Sequence, residues 1–147
     1  MTGTAGRLVC VAVLVAAGPA PWACPPSPWR RDDGRTKVRK RDDEARLDAA
    51  GIGAELGERA TLVQFSSAFC QPCRATRRIL AEVAGMVDGV AHVEIDAEDR
   101  LELVRRLGVL RTPTVLVLDR HGAIVRRASG QPRKADVIAA LGAAVSD

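Results

Sequence analysis

Residues 61–74 read TLVQFSSAFCQPCR, in which an apolar run leads through a short loop into two cysteines. The β-branched and apolar residues predict a buried strand ending near Phe65, and the residues after Cys70 predict a helix. Two thiols at the spacing of Cys70 and Cys73 in the first helical turn can close a small disulfide ring with little backbone movement. The helix start also favours a thiolate at Cys70, because unpaired N–H groups and the helix dipole stabilise negative charge there. The stretch therefore predicts a reversible dithiol.

A zinc site is the other common use of two cysteines at this spacing, and it requires four ligands. The remaining cysteines are Cys10 and Cys24, and the histidines are His92 and His121. Neither histidine forms a C-x-x-H or H-x3-H pattern of the kind that binds zinc. We therefore expect redox chemistry at Cys70–Cys73, with no metal ion and no bound cofactor.

The rest of residues 48–147 alternates between strand and helix patterns. After the first strand, the predicted elements are a helix over 71–87, a strand over 90–95, a helix with Leu101, Val104 and Leu107 inward that ends at Gly108, a strand over 115–119, a strand over 123–127 and a last helix after Pro132. Helical crossovers link the first three strands, and a tight turn links the last two. These connections predict an α/β fold with a central mixed β-sheet of about four strands, flanked by helices.

The net positive charge of the chain comes from its first third. Residues 1–47 contain nine Lys or Arg and five Asp or Glu, whereas residues 48–147 contain thirteen of each. Both tryptophans also lie in the first segment, so the folded part has neither a basic field nor an aromatic surface suited to stacking bases. We therefore expect no nucleic-acid partner.

The N-terminal segment divides into an uncharged part and a basic part. Residues 8–29 carry no charge, and the 17 residues that follow include eight Lys or Arg. Basic flanks are retained in the cytoplasm. The pattern favours a hydrophobic anchor or signal segment at residues 1–29, a charged linker at 30–47, and the domain on the cytoplasmic face of a membrane. The alternatives are an exported protein with a signal peptide and an uncleaved tail with no membrane role.

The order of elements resembles that of the thioredoxin family, with the two cysteines at the first strand–helix junction and Thr112-Pro113-Thr114 before the third strand. VQFSSAFCQPCR is similar to the family's active-site stretch, and GVLRTPTVLVLDRHGAIV is similar to its cis-proline strand and hairpin. The similarity covers residues 60–145. It implies a thiol–disulfide oxidoreductase that acts on protein disulfides or thiols and is served by a reducing partner.

The resemblance also implies roles for the matching positions. Cys70 is the attacking cysteine and Cys73 the resolving one. Pro113 is cis, which leaves the Thr112 backbone free to pair with a substrate strand. Phe69 and Pro72, beside the cysteines, complete the predicted substrate-binding residues.

Two departures from the family pattern concern proton transfer. Gln64 replaces the buried aspartate beneath the cysteines, and an amide cannot take a proton as a carboxylate does. His92 replaces the lysine that often accompanies that aspartate. His92 is either a proton acceptor near Cys73 or, as we prefer, a strand histidine without a catalytic role. Ser66 and Phe69 stand where the family usually has tryptophan.

These observations predict a membrane-tethered, thioredoxin-like protein-disulfide reductase. One rival is an exported reductase of envelope thiols, which differs in topology. The other is a redox-inactive or weakly active thioredoxin-fold binding module, favoured by the loss of the aspartate and of both tryptophans.

Overall fold

The computed structural model describes residues 36–37 and 45–146. The predicted anchor at residues 8–29 lies outside them. The described elements are β1 (Thr36–Lys37), α1 (Ala49–Ile52), β2 (Ala60–Ser66), α2 (Gln71–Ala84), β3 (Val90–Asp96), α3 (Leu101–Leu107), β4 (Thr114–Asp119), β5 (Ile124–Ser129) and α4 (Lys134–Ser146).

The strands form one mixed sheet in the order β1-β5-β4-β2-β3. β2 and β3 are parallel, as a helical crossover requires, and the other neighbouring strands are antiparallel. The predicted mixed sheet of four strands flanked by helices is thus confirmed in β2 to β5. The two-residue strand β1 extends this sheet at the β5 edge.

Residues of the segment assigned to the linker contribute to this fold. Thr36 pairs with Ala128 of β5. Leu47 is only 1% exposed, and its N–H donates to the carbonyl oxygen of Gly122 at 2.9 Å. Gly122 has a φ of 78°, and a Cβ there would lie 2.0 Å from the Leu47 carbonyl oxygen. Glycine is therefore required where the β4–β5 turn meets Leu47.

The core lies on both faces of the sheet because β2 is buried along its whole length. Side chains alternate along a strand, so Phe65 and Val63 pack on the face of α1 and α3. Leu62 packs on the opposite face with Leu80 of α2 and Leu141 of α4. Gln64 shares that second face, which places a polar side chain among aliphatic residues.

The predicted inward face of α3 is wrong at its first residue. Leu101 is 51% exposed, whereas Leu103 is 5% exposed and belongs to the core with Leu107. Leu103 and Leu107 lie four residues apart and so share one face of the helix. Leu101 begins the helix on another face.

Within the described residues, no helix combines the length and the apolar character needed to cross a membrane.

Candidate active site

The two cysteines of the predicted dithiol form a disulfide at the start of α2. Their Cα atoms are 5.2 Å apart. Cys70 occupies the N-cap position and Pro72 lies in the first turn, where the fixed φ of proline suits a helix start. Cys73 is 2% exposed, while Cys70 is only partly buried. The structure therefore leaves one cysteine partly exposed to solvent and buries the other.

The segment before β4 lies against the active-site loop. The Thr112–Pro113 peptide bond is cis, in agreement with the resemblance. The Oγ atom of Ser67 and the Oγ1 atom of Thr112 are 3.0 Å apart and share a hydrogen bond. The Pro113 carbonyl oxygen accepts from the Gly130 N–H at 2.7 Å. The first bond holds Thr112 against the loop that carries the cysteines, and the second ties the neighbouring Pro113 to the residue after β5.

Two large apolar side chains are exposed in these same two segments. Phe69, which precedes Cys70, is fully exposed, and Pro72 is also exposed. Leu110, three residues before Pro113, is 86% exposed. Leu110 is absent from the predicted site, because a leucine in an apolar stretch such as GVL is normally assigned to the core. Its exposure adds apolar surface to the segment that leads to the cis-proline.

Gln64 lies beneath the second cysteine and is fully buried. Its Nε2 donates to the Cys73 carbonyl oxygen at 3.0 Å and to the Ser66 Oγ at 2.8 Å. Its Oε1 is buried and has no hydrogen-bond partner in the described part of the chain. Gln64 thus contacts the backbone of the predicted resolving cysteine, which connects it directly to the site.

A carboxylate that the sequence-based prediction omitted completes this network. Glu94 lies beside Gln64 in the parallel β2–β3 pairing. It accepts from the Ser66 hydroxyl at 2.6 Å and from Nε and Nη2 of Arg77, both at 2.6 Å. These bonds and the charge of Arg77 hold the pKa of Glu94 below its usual range, although burial acts in the opposite direction. An available signal was the alternation of His92 and Glu94 in β3, which places both on one face of the strand.

His92 is partly buried on β3, and its Nε2 is buried without a hydrogen-bond partner among the described residues. Burial lowers the pKa of His92 below its ordinary value, and the nearby positive charge of Arg77 lowers it further; the negative charge of Glu94 opposes this shift. Neither nitrogen of His92 is hydrogen-bonded to Cys73 in this structure. The arrangement favours a neutral strand histidine over a proton acceptor for the thiol.

The pKa shifts of His92 and Glu94 predict a protein that loses stability in acid. The lowered pKa of His92 means that the unfolded chain binds more protons as the pH falls through about 6.5, so stability decreases there. The lowered pKa of Glu94 adds a second loss at pH values below 4.5. The urea concentration at the midpoint of unfolding should therefore decrease as the pH is lowered from 7.5 to 5.

His92→Gln should make the urea midpoint depend less on pH between pH 7.5 and pH 5. His121→Gln, which changes an exposed histidine, is the matched control and should leave this dependence unaltered. A wild-type midpoint that rises on acidification, or a His92→Gln protein with the full wild-type dependence, would contradict this assignment.

No group of three or more His, Cys, Asp or Glu side chains that could hold a metal ion occurs among the residues placed by the structure. The arrangement at the end of β2 is a dithiol–disulfide pair with a polar network beneath it and apolar side chains around it.

Comparison with known proteins agrees with this geometry. The sequence model of the thioredoxin family matches residues 53–143, more than half of the 147-residue chain. The protein belongs to the thioredoxin family. It is 33% identical over 86 residues to thioredoxin from Bacillus subtilis, a match covering 57% of this chain and 82% of that one.

A further relative is the human thioredoxin domain-containing protein 2, which is 35% identical over 75 residues. That match covers 51% of this chain but only 12% of the length of the human protein. Family membership and the Cys70–Cys73 disulfide support thiol–disulfide oxidoreductase chemistry in general terms.

Solved structures with the same fold include a mutant thioredoxin from Halobacterium salinarum, with a TM-score of 0.55 and 19% identity over 60% of this chain and 76% of that one. Chloroplastic thioredoxin z has a TM-score of 0.54 and 24% identity, over 61% and 81% of the two chains. At these identities the likeness concerns the fold.

Proposed function

We propose that the protein is a thiol–disulfide oxidoreductase that reduces disulfides in protein substrates. The observation that carries the proposal is a Cys70–Cys73 disulfide at a helix start, beside a cis-proline. The two cysteines differ in exposure, and this difference indicates a different role for each. Cys70 is accessible to a substrate, whereas the buried Cys73 can reach only the sulfur of Cys70.

The proposed reaction has two exchange steps. The Cys70 thiolate attacks one sulfur of a substrate disulfide; the Cys70–substrate bond forms as the substrate disulfide breaks, and the other substrate sulfur leaves as a thiolate. Cys73 then loses its proton and attacks the Cys70 sulfur, which forms the Cys70–Cys73 disulfide and releases the second substrate thiolate. Both thiolates are protonated by solvent. Two electrons pass to the substrate, and a dithiol reducing partner must return them to the protein.

The exposed residues of the active-site loop and of the segment before the cis-proline fit an extended polypeptide substrate. Phe69, Pro72 and Leu110 offer apolar contacts, and Thr112 lies beside the active-site loop through its bond to Ser67. A strand of substrate aligned along Thr112 and Pro113 would bring its disulfide to Cys70. Exposed apolar side chains at such a position are typical of protein-binding surfaces.

Reduction of insulin by dithiothreitol tests this function. The wild-type protein is expected to accelerate the precipitation of reduced insulin, and Cys70→Ser should return the rate to that of dithiothreitol alone, because the attacking sulfur is gone. Cys24→Ser, which alters a cysteine outside the CxxC pair, is the control and should retain the wild-type rate. A wild-type rate no higher than that of dithiothreitol alone would identify a binding module instead.

The second part of the proposal concerns the N-terminal segment. Residues 8–29 anchor the protein in a membrane, and the basic residues after them keep the domain on the cytoplasmic face. The support for this is the uncharged segment followed by a strongly basic flank.

Alkaline carbonate extraction should then leave the protein in the membrane pellet, and protease added outside intact cells should spare the domain. Deleting residues 8–29 should release the protein into the supernatant. A wild-type protein extracted by carbonate would contradict the anchor. Digestion of the domain from outside, or a mature N-terminus near residue 21, would instead establish the exported alternative.

A further inference from the structure

The hydrogen bonds around Gln64 fix the orientation of its side-chain amide. Glu94 is paired with Arg77 and is ionised, so it can only accept the hydrogen bond it shares with the Ser66 hydroxyl. Ser66 has a single hydroxyl hydrogen and gives it to Glu94, so it can only accept from Gln64. The Cys73 carbonyl oxygen can also only accept. Both neighbours therefore require the nitrogen end of the amide.

This orientation leaves the oxygen end of the Gln64 amide as a buried acceptor. Oε1 has no partner among the described residues, and an unpaired buried acceptor is costly. Oε1 and Nε2 belong to the same planar amide, and Nε2 lies 3.0 Å from the Cys73 carbonyl oxygen. Oε1 is therefore at most about 5.6 Å from that carbonyl oxygen, given standard amide bond lengths.

Reduction of the disulfide creates a new donor in the same buried surroundings. A reducing dithiol supplies two electrons and becomes a disulfide; the Cys70–Cys73 bond breaks, Cys70 is left as a thiolate and Cys73 takes up one proton as a thiol. The second proton of the dithiol goes to solvent. Cys73 is 2% exposed, so its S–H group has little access to water, and any acceptor for this weak donor must come from the protein.

We propose that Gln64 Oε1 accepts a hydrogen bond from the Cys73 thiol in the reduced protein, and that Ser66 and Glu94 position the amide for this. The inference deepens the proposed function and rests on it. Gln64 holds the thiol proton rather than removing it, because an amide is not a base. The hydrogen bond exists only in the reduced state, so it makes the disulfide easier to reduce. Ser66 and Glu94 are positioning residues.

Equilibration with reduced and oxidised glutathione measures this effect. Cys10→Ala and Cys24→Ala should be present in every protein, so that only Cys70 and Cys73 exchange. Gln64→Met keeps the approximate size of the side chain and removes the acceptor. It should lower the equilibrium constant for reduction about fivefold, the usual contribution of one hydrogen bond, which is about 20 mV for two electrons.

Two further variants separate the acceptor from general effects on the core. Leu62→Met changes a buried residue on the same face of β2 and should leave the equilibrium constant unchanged. Ser66→Ala should shift the constant in the direction of Gln64→Met but less, because the amide can then rotate. The double variant should match Gln64→Met alone, since the two residues act through one hydrogen bond.

The S–H stretching band of Cys73 gives a direct signature in proteins that also carry Cys70→Ser. Gln64→Met should move this band to higher frequency, and Leu62→Met should not. An equilibrium constant within twofold of the parent for both Gln64→Met and Ser66→Ala, or a band unmoved by the change at Gln64, would overturn the inference. If Gln64→Met does not fold, the equilibrium constant and the S–H band are compared between the parent and Ser66→Ala instead.

Exchange with glutathione needs no protein substrate, so failure of the parent to reduce insulin would refute the proposed function without affecting this result.

Discussion

Replacing Cys73 with serine is expected to convert the protein into a trap for its substrates. Cys70 can still attack a disulfide, but no buried thiol remains to attack the Cys70 sulfur of the mixed disulfide. Mixed disulfides should then persist for about minutes to hours, the range of uncatalysed disulfide rearrangement. Non-reducing electrophoresis of cells expressing Cys73→Ser should show adducts of higher mass that collapse to the monomer with dithiothreitol.

The trap has a matched control in the same chain. The double variant Cys70→Ser/Cys73→Ser keeps the surrounding surface and should form none of the adducts that depend on the CxxC pair. Adducts in both variants would assign the reactive sulfur to Cys10 or Cys24. The absence of any adduct with Cys73→Ser, after alkylation to stop exchange, would contradict attack by Cys70.

The sequence predicted those parts of the fold and site that depend on local patterns. The strand before Cys70, the helix after it and the hairpin around Gly122 follow from apolar periodicity and turn residues, and the structure contains all three. The cis-proline was predicted through the resemblance to the thioredoxin family, and the cysteine pair from its position between a strand pattern and a helix pattern. Such features need no knowledge of long-range contacts.

Two features that depend on long-range contacts were not predicted. Glu94 joins the site because β2 and β3 pair in the register that sets it beside Gln64, and this register is a property of two strands that the residues around Glu94 do not show by themselves. The two residues of β1 are polar and show no strand pattern in the sequence. They form a strand because they pair with β5.

Leu110 shows the limit of hydrophobic patterning near a functional site. Its sequence neighbours suggest burial, yet the segment before the cis-proline leaves it 86% exposed. Under the proposed function, Leu110 is free to contact the substrate, and the pattern of apolar residues along the chain does not indicate such a role.

The central claim is that Cys70 attacks and Cys73 resolves, and the order in which the two thiols of the reduced protein react tests it most directly. Cys70 lies at a helix start and is partly exposed, while Cys73 is 2% exposed. Brief iodoacetamide treatment at neutral pH, followed by peptide mass spectrometry, should show Cys70 alkylated at least about tenfold faster than Cys73. The two rates should converge in denaturing urea. Equal rates in the folded protein, or faster reaction at Cys73, would contradict the assignment of Cys70 as the attacking cysteine.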